Sequence, residues 1–173
     1  FLSFLLSACG NQETGDEQKK EAAKGQSYSV TDDTGKELTF DSVPETIVST
    51  APSNTEIIFA LGAGNKLVGA SEFDNYPEEA KKIERMSNAM SINTEAIIGA
   101  NPDVVIAYKD GPDGLKQIEG AGIPVFVIDS ALTIDDVYGN IEQIAAVLGT
   151  EKKGTAVVEG IRQQIAEKKK KTA

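Results

Sequence analysis

The sequence predicts an α/β fold in which a parallel β-sheet is flanked by helices, preceded by a β-hairpin and followed by one long helix. Short β-branched runs at 46–50, 104–107 and 124–128 alternate with segments of helical periodicity, and this alternation is typical of a parallel sheet. The run at 104–107 has no polar alternation, which indicates a strand buried on both faces. The chain has 173 residues, 40% of them hydrophobic, so it can bury the core of one ordinary domain.

The folded region is predicted to begin with a β-hairpin at 28–40. Apolar and polar residues alternate there on both sides of Asp-Asp-Thr-Gly at 32–35, and these residues favour a tight turn. The β-branched run at 46–50 then predicts the first buried strand.

A helix is predicted directly after this strand, because the apolar residues beyond position 53 fall on one helical face. Ser53 or Asn54 can cap it by accepting a hydrogen bond from a backbone N–H of the first turn. Gly62 and Gly64 are predicted to end it, since glycine adopts the backbone conformation that follows a helix.

The remaining elements alternate in the same way. In chain order they are a strand at 67–70, a short charged helix at 77–83, a helix at 95–100, a strand at 104–107, a helix at 114–121, a strand at 124–128 and a helix at 133–148. Thr94 and Thr133 are the predicted N-caps of two of these helices, and Asp135 and Asp136 favour the positive end of the last one. The alternation implies right-handed crossovers between parallel strands.

The segment 150–173 is predicted to be a helix with one apolar stripe. At 1.5 Å per residue it reaches roughly 30 Å, more than a small sheet needs for cover. The basic run at 168–171 suits the negative end of the helix dipole, and it also fits a simple solvated end.

The first residues are expected to carry a targeting signal. Leu6-Ser7-Ala8-Cys9 follows an apolar stretch and resembles the lipobox cut by lipoprotein signal peptidase, which implies diacylation of Cys9 after export and anchoring at the extracytoplasmic face of the cell membrane. The alternative is an ordinary signal-peptide end or a short core helix. The chain opens at Phe1 without Met, so we expect the start of the signal peptide to be missing. Residues 10–26 are polar and aperiodic, and they predict a flexible tether.

The composition argues against several classes of function. Seventeen basic and 27 acidic residues give a net charge of −10, which disfavours nucleic acid as a partner. The chain contains no histidine, so the commonest general base and metal ligand is absent. The sequence Gly62-Ala63-Gly64 departs from a dinucleotide-binding fingerprint because Leu67 occupies the third glycine position. We therefore expect no catalytic residue, no metal site and no cofactor.

Three segments carry a resemblance. They are IVSTAPSNTEI from Ile47, LVGA from Leu67 with FDNYP from Phe73, and NTEAI from Asn93 with NPDVVIAY from Asn101. In this order they resemble the amino-terminal, Rossmann-like lobe of the cobalamin, haem and iron-siderophore binding lipoproteins of ABC importers. The likeness extends from about Ile47 to Leu148.

The resemblance implies a division of the chain. Residues 1–9 are the signal-peptide remnant and lipobox, 10–26 the tether, 27–149 the amino-terminal ligand-binding lobe and 150–173 the truncated helix that joins it to a second lobe. That second lobe is expected to be missing from this chain.

The implied function is that of the extracytoplasmic solute-binding component of an ABC importer. It would capture a corrinoid such as cobalamin, or a ferric siderophore, in a cleft at the carboxyl ends of the strands and deliver it to the permease. Two alternatives stay open. One is a haem-binding member of the same family, with Tyr108 or Met90 as iron ligand. The other is an α/β enzyme, such as a paired-carboxylate hydrolase, or a sensor domain that reuses the fold.

Four stretches are expected at the carboxyl ends of the parallel strands, at 51–54, 71–75, 87–91 and 108–111. The resemblance also assigns residues in these stretches to ligand binding: Ser53, Asn54, Phe73, Ala89, Met90 and Tyr108. Phe73 and Tyr108 match ligand-facing aromatics of cobalamin binders. Ala89 stands where such proteins can have a large aromatic, and this departure weakens the match to cobalamin. Ser53 and Asn54 offer polar contacts or simply cap a helix, and the two aromatics also fit ordinary core or surface positions.

Glu95 matches the glutamate through which the first lobe of the family docks to arginines of the permease, and such charge-assisted contacts give both register and attraction. Its alternative interpretation is a first-turn Glu that favours the helix dipole. The implied partners are therefore the permease through Glu95, a small-molecule ligand, and the lipid membrane through Cys9.

Overall fold

The computed structural model describes residues 27–88, 91–109 and 113–172. The predictions for Cys9, for the tether at 10–26 and for Ala89 and Met90 lie outside these residues. Within the described part of the chain, no helix has the length and apolar character needed to cross a bilayer.

The described residues form a β-hairpin, a five-stranded sheet and flanking helices. The hairpin strands are β1 (Tyr28–Thr31) and β2 (Glu37–Phe40), and the sheet strands are β3 (Ile47–Ser49), β4 (Leu67–Ser71), β5 (Arg85–Ser87), β6 (Val104–Tyr108) and β7 (Val125–Ile128). The α-helices are α1 (Pro52–Ala60), α2 (Thr94–Ala100), α3 (Leu115–Gly120), α4 (Ile134–Val147) and α5 (Glu151–Thr172), and 3₁₀ helices occur at Gly64–Lys66 and Glu78–Lys82. The predicted α/β fold with a leading hairpin and a long last helix is confirmed.

The sheet is parallel throughout, in the order β5-β4-β3-β6-β7. The chain passes from β3 to β4 and β5 on one side, and then crosses to β6 and β7 on the other side of β3. In an open parallel sheet, ligands bind beyond the carboxyl ends of the strands at such a reversal of direction. The topology therefore makes the carboxyl ends of β3 and β6 the center of a candidate site.

Helices cover both faces of the sheet. Ile47 packs in one apolar cluster with Ile58 of α1, whereas the next residue, Val48, packs in a second cluster with Ile97 of α2 and Ile118 of α3. All five side chains have no exposed surface. Successive strand residues point to opposite faces, so a strand between two helix layers must be apolar at every position.

The hairpin is attached to the sheet through Asp32. Its Oδ1 accepts hydrogen bonds from the backbone N–H of Thr34 at 2.9 Å and of Lys36 at 3.0 Å, and its Oδ2 accepts one from Val127 N–H in β7 at 3.3 Å. Burial opposes ionisation of this carboxyl, but the hydrogen bonds from Thr34, Lys36 and Val127 outweigh it and lower the pKa of Asp32. One carboxylate thus holds the turn and joins it to an edge strand.

The long helix α5 packs against α4 through a close contact. A Cβ atom at Gly154 would lie 2.7 Å from the Cβ of Ala145, so glycine is needed for this approach. Val158 is buried at 5% exposure in the same cluster as Ile47. The first half of α5 therefore belongs to the core of the lobe.

The start and end of α1 differ from the prediction. Its N-cap is Ala51, with Pro52 at the first helical position, and no side chain caps it. The capping prediction for Ser53 and Asn54 is therefore wrong, because proline supplies the helical φ and lacks the N–H that a cap would satisfy. Gly62 follows the helix with a φ of 82°, as predicted.

Two other helix starts can be compared with the prediction. Asn93, one residue before the expected Thr94, caps α2 by accepting a hydrogen bond from Ala96 N–H at 3.0 Å. At α4 the predicted cap Thr133 is confirmed, and its hydroxyl and the carboxylate of Asp136 form a reciprocal capping box. The cap of α2 thus differs from the prediction by one residue, and Asn and Thr are both good caps.

Strand β5 was not predicted. Its three residues, Arg85–Ser87, are preceded by a charged segment and form the edge of the sheet beside β4. So short an edge strand shows no apolar periodicity, and only pairing with a neighbour defines it.

Candidate functional site

The segments that follow β3, β4, β5 and β6 open on one edge of the sheet, because all four strands are parallel. We call this the cleft edge. The amino-terminal ends of α1, α2, α3 and α4 lie there too, since each helix follows a strand or its loop. The sheet thus brings to one edge the described residues of the four segments that the sequence predicts at the strand ends.

Ser53 and Tyr108 meet at the center of the cleft edge. The Oγ of Ser53 and the phenolic oxygen of Tyr108 form a hydrogen bond between α1 and the end of β6. Ser53 is exposed, and Tyr108 is half-buried against the apolar cluster of Ile47. This pair lies where the strand order reverses, and it presents hydroxyl groups beside an aromatic ring.

Phe73 lies in the turn that follows β4, and 53% of it is exposed. Its backbone N–H donates a hydrogen bond of 3.2 Å to Ser71 Oγ. Strands β4 and β6 are the two neighbours of β3, so the strand ends that carry Phe73 and Tyr108 are roughly 10 Å apart. Phe73 and Tyr108 therefore follow the two strands that flank β3, at the same edge of the sheet.

A layer of buried hydroxyl groups lies beneath these residues. Thr55 donates to Ser49 Oγ at 2.8 Å, Ser49 Oγ donates to the carbonyl of Ala51 at 3.1 Å, and Ser87 Oγ donates to the carbonyl of Thr50 at 3.3 Å. These bonds link the ends of β3 and β5 to α1. The sequence contains no signal for this layer, because serine and threonine beside apolar strands form no distinctive pattern.

The structure corrects the prediction for Asn54. Its side chain has no exposed surface, and neither amide atom has a hydrogen-bond partner among the described residues. A side chain with no accessible surface cannot touch a ligand in this conformation. Of the two polar residues expected at the start of α1, Ser53 alone reaches the cleft edge.

Asp74 ends the turn that carries Phe73, and it is buried, with 2% exposure. One carboxylate oxygen accepts a hydrogen bond from Ser71 N–H, and the other has no hydrogen-bond partner among the described residues. Burial raises the pKa of Asp74, while Ser71 N–H and the charge of Arg85 offset part of that rise. The carboxylate therefore shapes the turn and does not face the ligand.

A cavity of about 430 Å³ opens at the carboxyl end of β5. It is lined by Glu72, Arg85, Met86, Ser87, Asn88, Ser91, Ile92 and Asn93. The sequence placed 87–91 at this edge but gave no signal for Glu72, Arg85 or Met86, because β5 itself was not predicted. The cavity extends the cleft edge away from the Ser53 and Tyr108 pair.

Glu95 is exposed in the first turn of α2, at the cleft edge. Its position favours the helix dipole, and it also leaves the carboxylate accessible to a partner. Among the described residues, no group of three or more His, Cys, Asp or Glu side chains is arranged to hold a metal ion.

The parallel sheet and its flanking helices agree with the family to which the sequence is similar. A family model described as periplasmic binding protein matches residues 47–173. The chain belongs to this family. The fold and family predicted from the sequence are thus confirmed for this member.

Three similar proteins are informative. The uncharacterized ABC transporter substrate-binding lipoprotein YvrC of Bacillus subtilis is 34% identical over 168 residues, which cover 94% of this chain and 53% of YvrC. The crystal structure of the vitamin B12 binding protein BtuF of Vibrio cholerae matches with a TM-score of 0.65 and 32% identity, over 72% of this chain and 49% of that one. A periplasmic haem binding protein from Pseudomonas aeruginosa matches with a TM-score of 0.69 and 25% identity, over 72% and 46%. This family member spans about half the length of the relatives it matches.

Proposed function

We propose that the protein is the extracytoplasmic solute-binding component of an ABC importer. It captures a corrinoid or a ferric siderophore against the cleft edge and delivers it to a permease without chemical turnover. The relatives support this class, because they are named as substrate-binding, vitamin B12-binding and haem-binding proteins.

The observation that carries the proposal is the aromatic and hydroxyl surface at the reversal of strand order. Phe73 is 53% exposed, although its ring would be more stable when buried. Ser53 and Tyr108 offer hydroxyl groups at the same edge of the sheet. A large flat ligand with a polar fringe needs this combination of apolar contact area and a few fixed polar groups.

A corrinoid or siderophore fits this chain better than haem does. The chain has no histidine to serve as an axial iron ligand. Tyr108, the other described candidate, already has its phenolic oxygen in a hydrogen bond with Ser53. Haem binding remains the second candidate function, supported by the similarity to the haem binding protein of Pseudomonas aeruginosa.

Delivery to the permease is proposed to use Glu95. Its carboxylate is exposed at the same edge as the ligand surface, so a permease that receives the ligand also meets Glu95. Arginine side chains on the permease would bind it by charge-assisted hydrogen bonds.

Attachment to the membrane is proposed to occur through acylated Cys9, with 10–26 as the tether. The similarity to a named lipoprotein over 94% of the chain supports this part of the proposal. Mass spectrometry of the membrane fraction should detect a diacylated amino-terminal peptide that begins at Cys9. An unmodified, secreted protein would exclude the anchor.

The ligand is tested by calorimetric titration of the protein, expressed with any coding sequence that follows residue 173. Cyanocobalamin, a ferric hydroxamate siderophore and haemin are the three probes. We expect saturable binding of cyanocobalamin or of the siderophore. The heat of each injection should return to the baseline, because the bound ligand is not chemically converted. Tight binding of haemin alone would favour the second candidate, and binding of none of the three would reject the proposal.

A further inference from the structure

Arg85 holds both ends of the turn that carries Phe73. Its Nη1 donates a hydrogen bond of 2.8 Å to the carbonyl of Ser71, and its Nη2 donates one of 2.8 Å to the carbonyl of Asp74. These two carbonyls enclose Glu72 and Phe73 in the chain. A planar guanidinium can reach both acceptors at once, which a single ammonium group does less well.

Other hydrogen bonds fix the interior of the same turn. Asp74 N–H donates to the carbonyl of Ser71 at 3.1 Å, and Glu72 N–H donates to the carbonyl of Ser87 in β5 at 2.7 Å. Phe73 N–H donates to the hydroxyl of Ser71, and Ser71 N–H donates to the carboxylate of Asp74. Every backbone N–H from 71 to 74 therefore has an acceptor.

This order contrasts with the exposure of the Phe73 ring. Because 53% of Phe73 is exposed, its side chain has little packing to hold it, and the place of its backbone depends on the hydrogen bonds of the turn. A side chain on a turn whose backbone is already ordered has less conformational freedom to lose when a ligand packs on it, so preorganisation of the turn raises affinity.

We propose that Arg85 is a positioning residue of the ligand site, which keeps Phe73 in the place where the ligand meets it. The proposal rests on the proposed function, since it takes Phe73 as a ligand contact. Arg85 acts through the backbone of the turn, and the apparent affinity falls as the fraction of molecules with an ordered turn falls.

The order of the turn is tested without a ligand. The sequence contains no tryptophan, so Phe73→Trp adds a fluorophore at the position of interest. The emission of this tryptophan is obtained by subtracting the emission of the parent protein. In that background, Arg85→Gln should lower the anisotropy of the introduced tryptophan and increase its quenching by acrylamide by about twofold or more. Arg85→Lys should restore part of both signals.

Arg162→Gln is the matched control. Its guanidinium lies 4.2 Å from the center of the Tyr138 ring and contacts α4 from α5. We expect it to leave the fluorophore at position 73 unchanged. Circular dichroism should show that all variants keep a cooperative thermal transition, and Arg85→Lys carries the test if Arg85→Gln does not fold.

The consequence for binding is measured with cyanocobalamin on the parent protein. Arg85→Gln should weaken its affinity about five- to 30-fold, and Arg85→Lys by less. An unchanged tryptophan signal in Arg85→Gln overturns the positioning role whatever the ligand does. A loosened turn with unchanged affinity overturns it as well. If the parent does not bind cyanocobalamin, the corrinoid proposal fails, and the fluorescence result still decides whether Arg85 orders the turn.

Discussion

Replacing Phe73 with alanine is expected to weaken ligand binding far more than it weakens folding. A phenylalanine side chain can bury roughly 150 to 250 Å², and 53% of this one is exposed in the free protein. On the order of 100 Å² is therefore available to a ligand. At about 25 cal/mol per Å², this contact contributes about 2.5 kcal/mol, or roughly 30- to 100-fold in affinity. Because the ring is half-exposed, we expect the free energy of unfolding to fall by less than about 1.5 kcal/mol.

The assay is calorimetric titration of the Phe73→Ala protein with the probe that the parent binds, beside thermal unfolding of both. Tyr76→Ala is the control, since Tyr76 is 66% exposed on the same loop but borders a separate groove with Phe59 and Ala60 of α1. We expect this control to bind within about threefold of the parent. Equal affinity of the parent and Phe73→Ala, or equal losses in Phe73→Ala and Tyr76→Ala, would refute the reasoning.

Three further predictions concern other parts of the lobe. Glu95→Ala should impair uptake in cells while ligand affinity stays within about twofold, because an exposed first-turn carboxylate contributes little to folding; parallel loss of both would remove it from docking. Asp32→Ala should lower the free energy of unfolding by about 2 kcal/mol at pH 7. The pKa of Asp32 is lowered from 3.8, so its stabilising effect is present above that value and is lost as the pH falls from 3.8 through the lower pKa of the folded protein; a difference between Asp32→Ala and the parent that does not shrink as the pH falls below 3.8 would contradict this. Gly154→Ala should lower the thermal midpoint, because the new Cβ would lie 2.7 Å from Ala145, whereas Gly160→Ala meets no atom within 4 Å and should raise it by helix propensity; shifts of the same sign would contradict the packing of α5.

The sheet and its helices could be predicted because their residues repeat a simple physical requirement. Strands such as β6 lie between two helix layers, so every residue is apolar and the run is visible in the sequence. The start of α4 could also be predicted, because the cap Thr133 and the acidic residues that follow it lie within four positions. Local signals suffice where a structure is determined by its neighbours in the chain.

The features that could not be predicted depend on contacts between residues distant in the sequence. Asn54 resembles an exposed cap in the sequence, but Pro52 begins the helix and the side chain of Asn54 is turned into the lobe. Arg85 resembles a solvated charge, but pairing of β5 with β4 brings it under the turn of Phe73. No local pattern encodes either outcome, because each follows from which strand lies beside which.

The central claim, that ligand binds at the carboxyl edge of this sheet, is tested most directly by hydrogen exchange. The measurement compares deuterium uptake of the protein with and without saturating cyanocobalamin, or the siderophore if that is the probe bound. We predict slower exchange in peptides that cover 50–53, 71–76 and 106–109 of the cleft edge. Slower exchange confined to the opposite edge, at 43–46 and 101–103, with the cleft edge unchanged, would contradict the claim.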